Sequence, residues 1–129
     1  MSKFIIQVNA PAYGSVSSYH AYRFAEAALR SGHLIDKVFF YQDGVLNTNG
    51  FNSPASDEFD LQHAWLSLSE QFDVPLVNCV SAALRRGVLS ETDAKEHALT
   101  HWNMSAPFIM GGLGELVVGI ESADRLISF

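Results

Sequence analysis

Five short, almost wholly apolar runs punctuate the chain, and the stretches between them carry apolar residues at helical spacing. The runs are Phe4-Ile5-Ile6-Gln7-Val8, Val38-Phe39-Phe40-Tyr41, Val74-Pro75-Leu76-Val77, Phe108-Ile109-Met110 and the segment Arg125 to Phe129. Strands of this kind, apolar along their length rather than at alternate positions, belong to a sheet covered on both faces. Alternation with helices implies parallel pairing through right-handed crossovers. The expected fold is therefore α/β: helices layered on both sides of one mainly parallel sheet. Neither a composition shift nor a repeat divides residues 1–129, so a single domain is expected. With 129 residues, 48% of them hydrophobic, the chain is long enough to bury a core without staples.

The connecting segments predict the helices. Ala21, Phe24, Ala25, Ala28 and Leu29 share a helical face, which Ser31-Gly32 closes. Gln42 to Ala55, rich in Asn, Gly and Ser, reads as a long irregular loop. A second helix should start at Ser56 or Asp57 and bury Leu61, Ala64, Trp65, Leu68 and Phe72. Ser81 to Arg86 reads as a short helix stopped by Gly87. Ser90-Glu91-Thr92-Asp93 reads as a capping box opening a helix towards His101. Gly111 to Gly114 reads as a turn, and Glu115 to Ser122 as the last helix.

Charge and composition exclude several functions. Eight basic against fourteen acidic residues give a net charge of −6, the wrong sign for a free-standing nucleic-acid binder. No apolar run approaches the roughly 20 residues of a membrane span. The first residues, Met1-Ser2-Lys3-Phe4-Ile5-Ile6, do not have the pattern of a secretory leader, so a cytoplasmic protein is expected. One cysteine leaves no intramolecular disulfide and no multi-cysteine metal cluster.

That cysteine is the leading candidate for chemistry. Cys79 lies just past the third strand and just before a helix, at the carboxyl end of the sheet where such folds place their sites. A helix N-terminus favours thiolate, the nucleophilic form. Arg85 and Arg86 add positive charge or cap their own helix. The competing reading is a small buried hydrophobe. The remaining candidates are weaker. Ser15, Ser17 and Ser18 at a helix start suit either an anion or simple capping. Gly111 to Gly114 lacks the spacing of a nucleotide loop. His97 and His101, four apart, would share a helix face, but no third ligand accompanies them and the order Glu96-His97 is not that of a zinc protease. Asp57, Glu58 and Asp60 read as first-turn charges complementing a helix dipole. No metal or cofactor is expected.

Several segments, taken in order, resemble a known family. They are Pro11-Ala12-Tyr13-Gly14, Val38 to Val45, Ser53 to Leu61, Cys79 to Val88, Gly112-Leu113-Gly114-Glu115-Leu116 and the ending Asp124 to Phe129. Together they resemble the DsrE family end to end, and most closely its sulfurtransferase subunits. The resemblance implies a three-layer α/β/α sandwich around a mainly parallel five-stranded sheet. It implies that Cys79 accepts sulfane sulfur as a persulfide, taken from a TusA-like donor and passed to a TusE-like acceptor. It also implies assembly with TusB-like and TusC-like subunits as a heterohexamer, a dimer of heterotrimers. The sulfur would end in the 2-thio group of the tRNA wobble uridine, without this subunit touching tRNA. Three alternatives stand beside this reading: a DsrE-type role in dissimilatory sulfur oxidation, a non-catalytic scaffold with an inert Cys79, and a nucleotide-binding module built on the glycine turns.

Overall fold

A computed structural model describes all residues, Met1–Phe129. Five strands, β1 (Lys3–Val8), β2 (Leu34–Phe40), β3 (Leu76–Cys79), β4 (Phe108–Gly111) and β5 (Arg125–Ser128), form one sheet in the order β4-β3-β2-β1-β5. Every neighbouring pair is parallel, so the sheet is wholly rather than mainly parallel. The helices are α1 (Ser17–Arg30), α2 (Leu61–Phe72), α3 (Val80–Arg85), α4 (Glu91–Glu96) and α5 (Leu113–Ser122). None is long and apolar enough to cross a membrane.

The chain steps from β1 to β4 in one direction, then returns across the sheet to β5. Right-handed crossovers accordingly place the connections of the first three steps on one face and α5 alone on the other. The first face is closed by aromatic packing. Trp65 of α2 is fully buried, edge-on to Phe40 at 5.3 Å and to Tyr22 of α1 at 5.6 Å between ring centroids, and Phe40 meets Phe108 at 6.0 Å. Such edge-to-face pairs add to the gain from area burial.

Several boundaries differ from the sequence expectation. The segment after β2 is not an irregular loop in its first half: Gln42–Thr48 is a 3-10 helix, with Gly44, Val45, Asn47 and Thr48 buried. Gly44 is required there, since a Cβ would fall on the Val8 carbonyl oxygen, a backbone atom with nowhere to go. Helix α2 starts at Leu61, because Asp60, not Ser56 or Asp57, accepts the His63 amide as the cap. The capping box at Ser90 and Asp93 forms, but α4 ends at Glu96 and Ala98 takes a left-handed φ of 57°, which breaks the helix before His101. Gly112 is the cap of α5 and Gly114 lies inside it, so the glycine segment is a strand end and a helix start rather than a turn. Finally, the two edge strands are not buried on both faces: Ile109 of β4 and Leu126 of β5 are exposed.

Candidate functional site

Cys79 is the last residue of β3, paired with Gly111 of β4, and at the same time the cap residue of α3. The strand holds it in the sheet and the helix starts immediately behind it, so its backbone is fixed from both sides. The thiol is the chain's only one, reduced, and 1% exposed. Its side-chain hydrogen-bond contact is with the Ser81 hydroxyl, Sγ lying 3.6 Å from Oγ. Residues flanking it are small or apolar: Ala82, Ala83 and Val77 belong to the same buried cluster. Chemically, this is a thiol available for exchange only after the surface over it opens.

Of the two arginines, Arg86 is paired away from the sulfur. Its Nε donates to Asp43 Oδ1 at 2.7 Å and its Nη1 to the Ala82 carbonyl at 3.1 Å. It thereby caps the carboxyl end of α3 and ties that helix to the 3-10 helix. Arg85 stands exposed in the last turn of α3.

Behind the thiol runs a buried polar network that sequence reasoning missed. Asn47, fully buried, accepts from Trp65 Nε1 at 3.2 Å. Its amide donates towards the carbonyls of Ala10 (3.1 Å) and Gly44 (2.8 Å) and the Ser18 hydroxyl (3.1 Å). Asn78, next to Cys79 and fully buried, donates to Thr48 Oγ1 at 2.6 Å and lies 3.2 Å from Met104 Sδ, while its Oδ1 has no partner. These bonds lock the 3-10 helix onto α1, α2 and β3. A signal was present in the chain: the indole N–H of a core tryptophan needs an acceptor, and only a polar side chain buried with it supplies one.

The other sequence candidates separate. Ser18 donates to the Ala10 carbonyl at 2.6 Å and Ser15 accepts from the Ser17 amide at 3.2 Å, so two of the serines act in local structure. His97 closes α4 and His101 lies beyond it, so the two do not share a helix face. Asp60 caps α2, and Glu58 accepts from the Ala55 amide at 3.1 Å. The largest groove, about 460 Å³, runs beside β4 between Ser90–Asp93 and Trp102, Met104 and Phe108; Cys79 does not line it. None of the grooves on the surface is lined by the thiol.

Comparison with known proteins accords with this geometry. The DsrE/DsrF-like family matches residues 2–129. The chain is 46% identical over 126 residues to the sulfurtransferase TusD homolog of Vibrio parahaemolyticus, covering 98% of this chain and 96% of that one. It is 47% identical to the sulfurtransferase TusD of Proteus mirabilis, covering 98% and 97%. The crystal structure of the ychN protein from E. coli shares the fold across the whole of both chains, with a TM-score of 0.76 at 22% identity. An all-parallel five-stranded α/β sheet, matched over its full length by family and relatives alike, leads to one conclusion: the chain belongs to the DsrE/DsrF-like family.

Proposed function

We propose that this protein is a sulfurtransferase subunit of a sulfur relay and that Cys79 carries the sulfur. The observation that carries the reading is the position of the chain's single thiol at the carboxyl end of β3, in a chain whose near-full-length relatives bear the name sulfurtransferase TusD. The Cys79 thiolate attacks the outer sulfur of a donor persulfide. A sulfur–sulfur bond forms to Cys79, the donor's own sulfur–sulfur bond breaks, and the donor leaves as thiolate with the electron pair. An acceptor thiolate then repeats the exchange on the Cys79 persulfide. No net oxidation occurs and no cofactor is consumed; rates follow thiolate fraction and leaving-group pKa, as in thiol–disulfide exchange.

The donor is TusA-like and the acceptor TusE-like, with TusB-like and TusC-like subunits completing a cytoplasmic heterohexamer. The end product is the 2-thiouridine of the tRNA wobble position. A docked partner opens the surface over Cys79, which answers the burial of the thiol.

The test is intact mass after incubation with a persulfide donor, before and after reductant. The expected result is a reductant-sensitive gain of one sulfur atom, lost in Cys79→Ser. Undiminished uptake in that variant would sink the assignment. One observation favours a second reading: a thiol 1% exposed suits a scaffold with an inert cysteine. If Cys79 takes no sulfur and reacts with a small alkylating reagent only when the protein is unfolded, the scaffold reading replaces the first.

A further inference from the structure

Serine hydroxyls in this chain donate to oxygen where they can. Ser18 donates to the Ala10 carbonyl at 2.6 Å, Ser69 to the Val74 carbonyl at 2.8 Å, Ser90 to the Asp93 carboxylate at 2.7 Å and Ser122 to the Asp36 carboxylate at 3.0 Å. Ser81, in the first turn of α3, differs. Its hydroxyl is turned to sulfur, with Oγ 3.6 Å from Cys79 Sγ. Cys79 is 1% exposed and Ser81 is exposed, so the contact links a buried sulfur to a surface residue.

The charge on the sulfur decides the direction of that contact. In the neutral pair either atom can donate. A thiolate has no proton, so once Cys79 ionises only the Ser81 O–H can donate. Hydrogen bonds to an ionised partner are roughly twice as strong as neutral ones, so the contact strengthens as charge develops on Sγ. Charged groups on the neighbouring elements are largely paired with one another. Asp43 of the 3-10 helix holds Arg86 at 2.7 Å, and Lys37 of β2 meets Asp36 at 3.6 Å and Glu115 of α5 at 3.1 Å. Strand β4 carries no charge, and Arg85 stands exposed in the last turn of α3.

We infer that Ser81 is a positioning residue for the Cys79 thiolate, its O–H donating to Sγ whenever that sulfur is charged. The inference rests on the reading of Cys79 as the sulfur carrier, and it adds what steadies the charge at each exchange. On uptake, the hydrogen bond raises the share of Cys79 present as nucleophile. On hand-off, the bond between Sγ and the sulfane sulfur breaks, Sγ keeps the electron pair, and the same hydrogen bond eases its departure. The hydroxyl proton stays on oxygen throughout, so Ser81 is neither acid nor base.

The experiment is the rate of Cys79 alkylation by iodoacetamide across pH in the folded full chain, followed by intact mass, for wild type, Ser81→Ala and Ser81→Thr. Loss of the hydrogen bond should lower the thiolate share about tenfold, the low end for a charged pair because Ser81 is exposed. A more basic thiolate is also more reactive, with a slope of about 0.4–0.5. Ser81→Ala should therefore react about threefold more slowly below the midpoint of the profile and about threefold faster above it. Ser81→Thr keeps the hydroxyl and should follow the wild type. A loosened α3 would instead speed alkylation at every pH, so crossing curves separate the hydrogen bond from a structural effect. Hand-off of sulfur to a small thiol should slow about threefold in Ser81→Ala, because Sγ is then the poorer leaving group. Curves for Ser81→Ala that do not cross the wild type overturn the inference, as does Ser81→Thr behaving like Ser81→Ala. Crossing curves with no sulfur uptake by the wild type keep Ser81 as the thiolate's partner and remove the carrier reading. Uptake by the wild type with coincident curves does the reverse, and a thiol alkylated only in the unfolded protein overturns both.

Discussion

On the face that carries α1 and α2, the large core side chains have partners: Trp65, Phe40 and Phe108 are sealed in edge-to-face contact, and even the indole N–H is bonded to Asn47. On the opposite face one ten-residue helix leans on the sheet through Leu116 and Gly119 and turns a second apolar stripe outward. Both faces are apolar in sequence, yet only one is finished within the chain. The α1/α2 side is closed over its aromatic core, while on the α5 side Ile5, Phe39 and Val77 are buried but the outer surface of the helix is left bare. Cys79 sits at the end of an interior strand, β3, paired with Gly111 of β4.

The sharpest way to break this contrast is to hollow out the closed face. Trp65→Ala removes the largest fully buried side chain and strands Asn47 Oδ1. A loss of about 3–5 kcal/mol in unfolding free energy is expected from urea titration. Val117→Lys on the open face should change the stability of the isolated monomer by less than about 0.5 kcal/mol, as surface substitutions do. Equal losses from the two variants would erase the distinction.

Much of this arrangement is legible in the chain, and the failures have physical causes. The strands and α1 announce themselves because burial selects their residues directly. Gln42–Thr48 did not, because Asn47 and Thr48 are residue types that usually face water, and only the tertiary need of Trp65 and Asn78 for partners draws them inside. The early end of α4 is set by a left-handed Ala98, a conformation that no local residue signals. The apolar character of α5 is plain in Leu113 to Ile120, but whether such a helix is covered is a property of assembly rather than of the helix. The same division applies to the site. The position of Cys79 after a strand and before a helix follows from punctuation, whereas its burial depends on Ala82, Ala83 and the segment that Asp43 and Arg86 tie down.

A smaller effect sharpens the open side of the comparison. A Cβ at Gly119 would meet the end of Ile5 and lie 3.0 Å from Asp36 Oδ2. Gly119→Val should lift α5 from the sheet and cost about 2 kcal/mol, the usual range for overpacking. A variant as stable as the wild type would show that Ile5 yields and that α5 is less tightly seated than Gly119 implies.

The least effect is confined to the closed face and to alkaline pH. Burial raises the phenol pKa of Tyr22 above its ordinary 10.0, and the hydrogen bond its hydroxyl donates to Glu26 at 3.1 Å adds to the shift. Burial, then the nearby Asp60 charge, raises that of Tyr13 in the same direction. A folded pKa above the unfolded one means that the native state keeps its proton longer. The associated stability is intact below pH 10 and disappears as pH rises through the folded value. The urea midpoint of the wild type should therefore decline above pH 10, and that of Tyr22→Phe should decline less, because one of the two groups is gone. Parallel declines in the two proteins would place the alkaline weakness outside α1, and the chemical distinction between the faces would then lie in packing alone.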